Sequence, residues 1–396
     1  MQTLKTILSE GFRVFFMSAG LYGVFTGVVW ALSLLAQEGL GWDPLIAEVP
    51  QMWHAHEMIF GYATAALGGF FLTAVPNWTN TPAARLNYLA VAASLWLVGR
   101  VAMWFAGVWP AGLVAVCDLA FIPILGVKIF SQLIKRPKPQ NMMFLAILAL
   151  LWVSNLMIHL DWMGYVASGE ANGLRAGLFA LVAMIVILGG RITPAFTRNA
   201  MKREGVPEDG WPQSTALVEK ATVVLALGLP VLVLLNLPEM VSGLAALFLG
   251  LLQGARLLQW RGAWAWRQPI LFALHLGIGM LGLGLMLWGL AGFGIGDEVA
   301  AVHVVGIGGV GGMTLAVMSR ASLGHSGRPL VAPRPVAFGY GLLAVVAGLR
   351  WWGAGIDSVP YLHLMALISL LWALVFLLYL VALWSTWVKP RDARSS

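Results

Sequence analysis

The sequence predicts an all-α integral membrane protein, a bundle of about twelve transmembrane helices that forms one domain over residues 1–396. Hydrophobic residues make up 60% of the chain and charged residues 10%, whereas soluble domains carry about 25% charged residues. Apolar runs of about twenty residues, the length that crosses a bilayer as a helix, recur from one end of the chain to the other.

Twelve apolar runs have the length of a membrane-crossing helix. The first is too long for the core of a secretory signal peptide and lacks a cleavage site, so we expect it to remain as a span. The predicted spans are 12–36, 54–75, 85–106, 109–133, 142–163, 174–196, 215–236, 240–260, 269–292, 299–320, 335–355 and 359–387.

The charges between the spans alternate in sign along the chain. By the positive-inside rule this alternation predicts that both termini are cytoplasmic. The formal charge of +7 therefore reflects topology, and no nucleic-acid partner is predicted. The basic segments hold Lys128, Lys135, Arg136 and Lys138, then Arg198, Lys202 and Arg203, then Arg256, Arg261 and Arg267, then Arg328 and Arg334, and finally Lys389, Arg391 and Arg394. The acidic segments hold Glu38, Asp43 and Glu48, then Asp161 and Glu170, then Glu239, Asp297, Glu298 and Asp357.

An internal repeat is predicted from glycine pairs in the second, sixth and tenth spans. The pairs begin at Gly68, Gly189 and Gly311, at spacings of 121 and 122 residues. This period predicts three units of four spans, over 1–135, 136–262 and 263–396. The alternative is that the pairs only let neighbouring helices pack closely, as glycine does in many membrane bundles.

Five of the seven histidines fall near the predicted outer ends of their spans. The single cysteine, Cys117, excludes internal disulfides and thiolate clusters, so imidazole is the available soft-to-borderline metal ligand. We therefore predict metal ligation by this set, although each histidine taken alone fits a residue of the headgroup layer. The set is His54, His56, His159, His303 and His363.

The pair His54 and His56 opens the second span. Residues two apart on a helix point about 200° apart, so the two rings are expected to serve different metal centres. The zinc-protease motif His-Glu-x-x-His is excluded because its last position is Phe60. Glu57 is predicted to deliver protons or to ligate metal, and the alternative is a carboxylate that favours the helix dipole.

One motif runs from Trp-His-Ala-His-Glu-Met at 53–58 to residue 79, and a second lies within 311–328. Both resemble the NnrS family, and the resemblance covers nearly the whole chain. It implies a membrane protein with haem b and copper that acts on nitric oxide in the bacterial inner membrane. The arrangement of twelve spans also resembles the catalytic subunit of haem-copper oxidases. In those proteins the His-x-His pair lies on span ten, whereas here it lies on span two. The metal ligands of the oxidases therefore cannot be assigned to this chain by position. The second motif consists of Gly-Gly-Met-Thr-Leu-Ala-Val-Met-Ser-Arg at 311–320 and Leu-Gly-His-Ser-Gly-Arg at 323–328.

Further polar residues fall inside predicted spans, where an ionisable side chain indicates a functional or a paired role. Asp118 lies about 13 Å into the fourth span at 1.5 Å per residue. It either belongs to a proton path or holds that span against a neighbouring helix through a salt bridge or a hydrogen bond. Arg100 and Arg350 are predicted to clamp haem propionates, and they would equally neutralise Glu57 or Asp118. His275, near the cytoplasmic end of the ninth span, and His325, in a basic loop, are kept as candidate ligands for an inner haem.

Two classes of function remain. The first is an enzyme that binds nitric oxide and reduces it to nitrous oxide, with a quinol or a cytochrome as electron donor. The second is a haem scavenger or sensor without turnover, or a transporter, for which a twelve-span chain with repeats is also a natural form. Histidines at a shared depth favour a metal protein over a transporter.

Overall fold

The computed structural model describes residues 2–37, 49–353, 355 and 360–392, and all regular structure in this part of the chain is helical. Short helical segments occur at Gln2–Ile7, Glu208–Gly210 and Gly262–Ala265. The long helices, numbered in chain order, are α1 (Gly11–Leu35), α2 (Pro50–Thr79), α3 (Asn87–Trp104), α4 (Ala111–Leu133), α5 (Pro139–Trp162), α6 (Gly169–Arg203), α7 (Ala216–Leu234), α8 (Glu239–Gln259), α9 (Pro269–Ala291), α10 (Glu298–His325), α11 (Arg334–Gly353) and α12 (Tyr361–Val388).

Each predicted span corresponds to one of these helices. Eleven of the helices in the described residues are long and apolar enough to cross a membrane, and α3 is the one outside that set. The prediction of an all-α membrane bundle is therefore confirmed. The acidic residues Glu38, Asp43, Glu48 and Asp357 and the basic Arg394 lie outside the described residues.

Two details of the predicted boundaries are wrong. Helix α6 continues to Arg203, beyond residue 196 where the sixth span was predicted to end. Arg256, grouped with a basic loop, lies inside α8 and is 2% exposed. Its guanidinium bonds to Glu219 of α7, and a buried charge inside an apolar helix needs such a partner.

The chain divides into two compact units. The first comprises Met1–Gly177, Ala321–Pro329 and Leu362–Ser396. The second comprises Leu178–Arg320 and Leu330–Tyr361. The predicted threefold repeat remains a prediction.

Helices α2 and α10 each contain a π-helical turn, at Glu57–Tyr62 and Val304–Gly311. Such turns are rare and frequently occur at functional sites. In α10 the glycines of this turn permit close packing on α9, because a Cβ at Gly309 would lie 2.6 Å from a side-chain carbon of Leu281. Gly309 is therefore a point of close contact between α10 and α9.

A buried arginine joins the start of α1 to the end of α12 in the first unit. Arg13 is 2% exposed, and its Nη1 donates to the carbonyl oxygens of Thr386, Trp387 and Lys389 at 2.9, 3.1 and 2.7 Å. The last carbonyls of a helix have no partner within the helix. The guanidinium therefore satisfies the end of α12.

We expect Arg13→Met to lower the free energy of unfolding by about 3 kcal/mol, because hydrogen bonds to a charged group contribute about 1.5–3 kcal/mol and their loss leaves buried carbonyls unsatisfied. Thermal unfolding of the purified protein in detergent measures the effect. Arg85→Met, at an exposed position, is the control and should unfold at the wild-type temperature. An equal loss in both variants would contradict this role.

Candidate metal centre

A buried polar network lies in the first unit, where α2, α3, α4 and α5 meet. Its members are hydrogen-bonded to one another, and each is at most 6% exposed. Such side chains are expensive inside an apolar bundle and are kept where they pair or bind something. The members are His56 and Glu57 of α2, Arg100 of α3, Asp118 of α4, and Asn155 and His159 of α5.

Asp118 is the centre of this network. Its Oδ2 accepts hydrogen bonds from Asn155 Nδ2 at 2.7 Å and from His159 Nε2 at 2.9 Å. His56 Nε2 lies 3.2 Å from the same oxygen. Its Oδ1 accepts from Arg100 Nη2. Two imidazole nitrogens from different helices thus converge on one carboxylate oxygen.

Both ring nitrogens of His56 face oxygen atoms. Nδ1 lies 2.9 Å from Glu57 Oε1, and Nε2 lies 2.8 Å from Asn155 Oδ1. This arrangement suits a ring that carries two protons or a ring that binds a metal ion through Nε2. Metal-ligating histidines commonly donate their other nitrogen to a carboxylate, which fixes the ring orientation. Glu57 occupies that position.

The π-turn of α2 and one glycine make room for a further contact to Glu57. The hydroxyl group of Tyr22 in α1 donates a hydrogen bond to Glu57 Oε2. A Cβ at Gly61 would lie 2.5 Å from Tyr22 Cε1 and 3.1 Å from Glu57 Oε2, so a side chain there would displace them. The Gly61 carbonyl accepts a hydrogen bond from Trp96 Nε1 at 2.9 Å, which holds the turn against α3.

The donor set fits a single transition-metal ion. Ligand atoms of His56, Asp118 and His159 all lie within 4.8 Å of one another, and no second group of this kind occurs among the described residues. Two imidazole nitrogens and one carboxylate oxygen suit copper, zinc or iron. A haem does not fit between them, because the three side chains are already in mutual contact and leave no space for a macrocycle.

The charges of the network also favour a bound cation. Arg100 bonds to both Glu57 and Asp118, so one guanidinium faces two carboxylates. Buried charges are stable only when they are paired. A proton on Glu57 or on an imidazole, or a metal ion, balances the second carboxylate. These contacts agree with the second role considered for Arg100 from the sequence, the neutralisation of Glu57 and Asp118.

His54 lies apart from this network. Its ring stacks on Trp30, with centroids 4.5 Å apart and planes inclined by 9°. His54 and His56 therefore contact different neighbours, as their spacing predicted. A role of His54 as a ligand of a separate metal remains a prediction.

The other predicted ligands occupy different places in the chain. In the second unit, His303 Nδ1 lies 2.7 Å from the carbonyl oxygen of Val299, so Nδ1 carries the proton and Nε2 the lone pair. His363 is exposed in the first turns of α12. His275 Nε2 lies 2.9 Å from Thr197 Oγ1. The roles of these histidines as ligands remain predictions.

Three residues in contact with the network were not predicted from the sequence: Tyr22, Asn155 and Trp162. Trp162 lies against both imidazoles, with ring centroids 5.2 Å from His159 and 5.9 Å from His56. Asn155 carried a signal, since it lies four residues before His159 and so on the same face of an otherwise apolar helix. Tyr22 carried none, because tyrosine is common in transmembrane helices.

Gly61→Ala tests the packing of the network. We expect the added methyl group to destabilise the protein by about 1–3 kcal/mol, the range for overpacking a close-packed interior, and to lower its metal content. Gly126→Ala in α4 is the control, because nothing lies within 4 Å of its Cβ position. Thermal unfolding and metal analysis should therefore separate the two variants. Equal behaviour would contradict the packing described here.

One family model, described as NnrS protein, matches residues 6–391. A search of curated proteins finds no match. The family is associated with haem and metal binding, in keeping with the buried histidine and aspartate group. Because the match spans nearly the whole chain, the protein belongs to the NnrS family, and this membership implies a role in nitric oxide metabolism.

Proposed function

We propose that this protein binds nitric oxide at a metal centre in the membrane and reduces it to nitrous oxide. The reaction takes two molecules of nitric oxide, two electrons and two protons and forms nitrous oxide and water. The observation that carries the proposal is the convergence of His56, His159 and Asp118 in a buried, otherwise apolar region. Nitric oxide is small and uncharged, so it reaches such a site through the bilayer.

Copper is the metal proposed for this site. His56 Nε2, His159 Nε2 and Asp118 Oδ2 are the atoms that would hold it. When bound, copper would supply Lewis acidity and one-electron chemistry toward nitric oxide. Haem b is proposed at histidines outside the cluster, at His54, His303 or His363. His303 has the lone pair on Nε2, the tautomer that a haem ligand needs.

The chain's own residues orient the ligands and hold protons. Glu57 Oε1 faces His56 Nδ1 and fixes the direction of that ring. Glu57 Oε2 accepts a hydrogen bond from the Tyr22 hydroxyl, so the carboxylate bridges Tyr22 and His56. Arg100 holds Glu57 and Asp118 in place. Burial excludes bulk water and strengthens each of these interactions.

The proposed setting is the bacterial inner membrane with both termini cytoplasmic, which the loop charges support. A quinol in the bilayer or a cytochrome at the surface is the proposed electron donor. The remaining partners are nitric oxide and membrane lipid.

Turnover of isotopically labelled nitric oxide tests the proposal. Copper- and haem-loaded protein, given the gas and a quinol under anaerobic conditions, should form labelled nitrous oxide with one quinol oxidised per product. Metal-free protein is the control. Stoichiometric binding without product, with quinol and with cytochrome donors alike, would instead assign a scavenger or a sensor.

Glu57→Gln tests the proton-holding role separately. Glutamine keeps the volume and an oxygen toward His56 but cannot take up a proton. Because Glu57 faces a proposed ligand histidine, its replacement should also weaken metal binding by about 10–100-fold, so the rate is compared per bound metal ion. Loss of a positioned acid or base costs about 10²–10⁴-fold in rate, and we expect a fall in that range. Glu239→Gln, at an exposed position, should leave the rate unchanged. A wild-type rate and pH profile in Glu57→Gln would contradict the role.

A further inference from the structure

Four arginines of the described residues are buried: Arg13, Arg100, Arg256 and Arg350. A buried guanidinium is stable only with an anion or several carbonyl oxygens around it. Arg13 has three carbonyl partners, Arg100 has two carboxylates, and Arg256 has Glu219 and the carbonyl of Val186. The protein itself therefore supplies carboxylates or several carbonyl oxygens to three of the four guanidinium groups, although the Nε atoms of Arg13 and Arg100 have no hydrogen-bond partner among the described residues.

Arg350 is the exception. It lies near the end of α11 and is 5% exposed. Its Nη2 has one long contact, 3.4 Å to the Tyr361 hydroxyl, and its Nη1 has no hydrogen-bond partner. A donor left in this state costs about as much as a lost hydrogen bond, and more for a charged group. Within the described residues, this guanidinium therefore lacks its counter-ion.

Among the described residues, the acid whose charge acts on Arg350 does not fill that place. Asp297 is close enough for its charge to act on Arg350, but among the described residues it gives Arg350 no ion pair or hydrogen bond. Its carboxylate instead accepts the backbone N–H of Ala300 at 2.6 Å and caps the start of α10. His303, on the first turns of the same helix, is also within electrostatic reach of Arg350. A cationic side chain and an imidazole with its lone pair on Nε2 thus share this end of the second unit.

We propose that Arg350 anchors an anion-binding site that takes a carboxylate or a small planar oxyanion. The flat guanidinium presents parallel N–H donors that match the two oxygens of such a group. The anion comes from one of two sources, a free oxyanion such as nitrite or a propionate of a haem held by His303. The second source rests on the haem of the proposed function, whereas the anion site itself does not require that nitric oxide be reduced.

Two binding measurements on the purified full-length protein in detergent separate the sources. In the first, nitrite and formate are titrated while tryptophan fluorescence and the unfolding temperature are followed. In the second, metal-free protein is titrated with haem b and with its dimethyl ester, whose propionates carry no charge. Arg350→Gln removes the guanidinium, and Arg334→Gln, exposed at the start of the same helix, is the matched control.

A charged hydrogen bond corresponds to about a ten- to hundredfold change in affinity. For a free oxyanion, nitrite affinity should fall by this factor in Arg350→Gln and not in Arg334→Gln. For a haem carboxylate, the wild type should bind haem b about ten- to hundredfold more tightly than the ester, and Arg350→Gln should bind both alike. The wild-type comparison needs no variant, so it holds if Arg350→Gln fails to fold.

Three results would overturn the proposal. One is wild-type protein that binds neither anion and does not distinguish haem b from its ester. Another is an equal loss of affinity in Arg334→Gln. The third concerns Asp357, which lies outside the described residues: if Asp357→Asn reproduced the behaviour of Arg350→Gln, the guanidinium would belong to that carboxylate.

Discussion

Asp118→Asn is expected to destabilise the protein by about 3–5 kcal/mol, the cost of breaking a buried ion pair by removal of one partner. The carboxylate accepts from Arg100, Asn155 and His159. Asparagine keeps the shape but removes the charge and turns one acceptor into a donor that faces other donors. Denaturation in detergent measures the loss of stability, and copper binding should be lost with it.

Asp209→Asn, at an exposed position in the segment between α6 and α7, is the control for this change. It should stay within about 0.5 kcal/mol of the wild type, as surface substitutions usually do. The pairing with Arg100 can be isolated by a double-mutant cycle with Arg100→Gln, whose coupling should be large because the two side chains are in contact. Asp118→Asn with wild-type stability would contradict the central place of this carboxylate.

His56→Ala and His159→Ala are expected to have the largest effect on metal binding and turnover. Each removes one of three proposed ligand atoms, whereas loss of an outer partner of a ligand already costs about 10–100-fold in metal affinity. We therefore expect at least a hundredfold weaker copper binding in both variants. Nitric oxide consumption should fall to the level of the metal-free protein.

His363→Ala is the matched control, because His363 is exposed on α12. Copper content at the buried site should be unchanged in that variant. If His363→Ala lost as much copper as His56→Ala, the ion would be held elsewhere. Equilibrium dialysis against a copper chelator, followed by metal analysis, compares the three variants under the same conditions.

The helices were predictable because membrane thickness fixes their length, and the apolar runs had that length. The π-helical turns were not predictable, because the residues of 57–62 and 304–311 fit an α-helix as well as a π-helix. The additional residue of such a turn is selected by packing, for example of Gly61 against Tyr22.

For the candidate site, the sequence predicted which residues take part better than it predicted which of them contact one another. Histidines at span ends and a carboxylate inside a span drew attention to His56, His159 and Asp118. One sequence does not state which helices are neighbours, so the contact between α4 and α5 that joins Asp118 to His159 could not be derived. For the same reason the partner of Arg100 stayed open until Glu57 and Asp118 were seen on either side of it.

X-ray absorption at the copper edge tests the central claim most directly. Protein loaded with one equivalent of copper should show two imidazole ligands and one carboxylate oxygen, from His56, His159 and Asp118. The double variant His56→Ala and His159→Ala should show no imidazole at copper. A spectrum without imidazole in the wild type, or an unchanged imidazole signal in the double variant, would contradict a copper centre in this network.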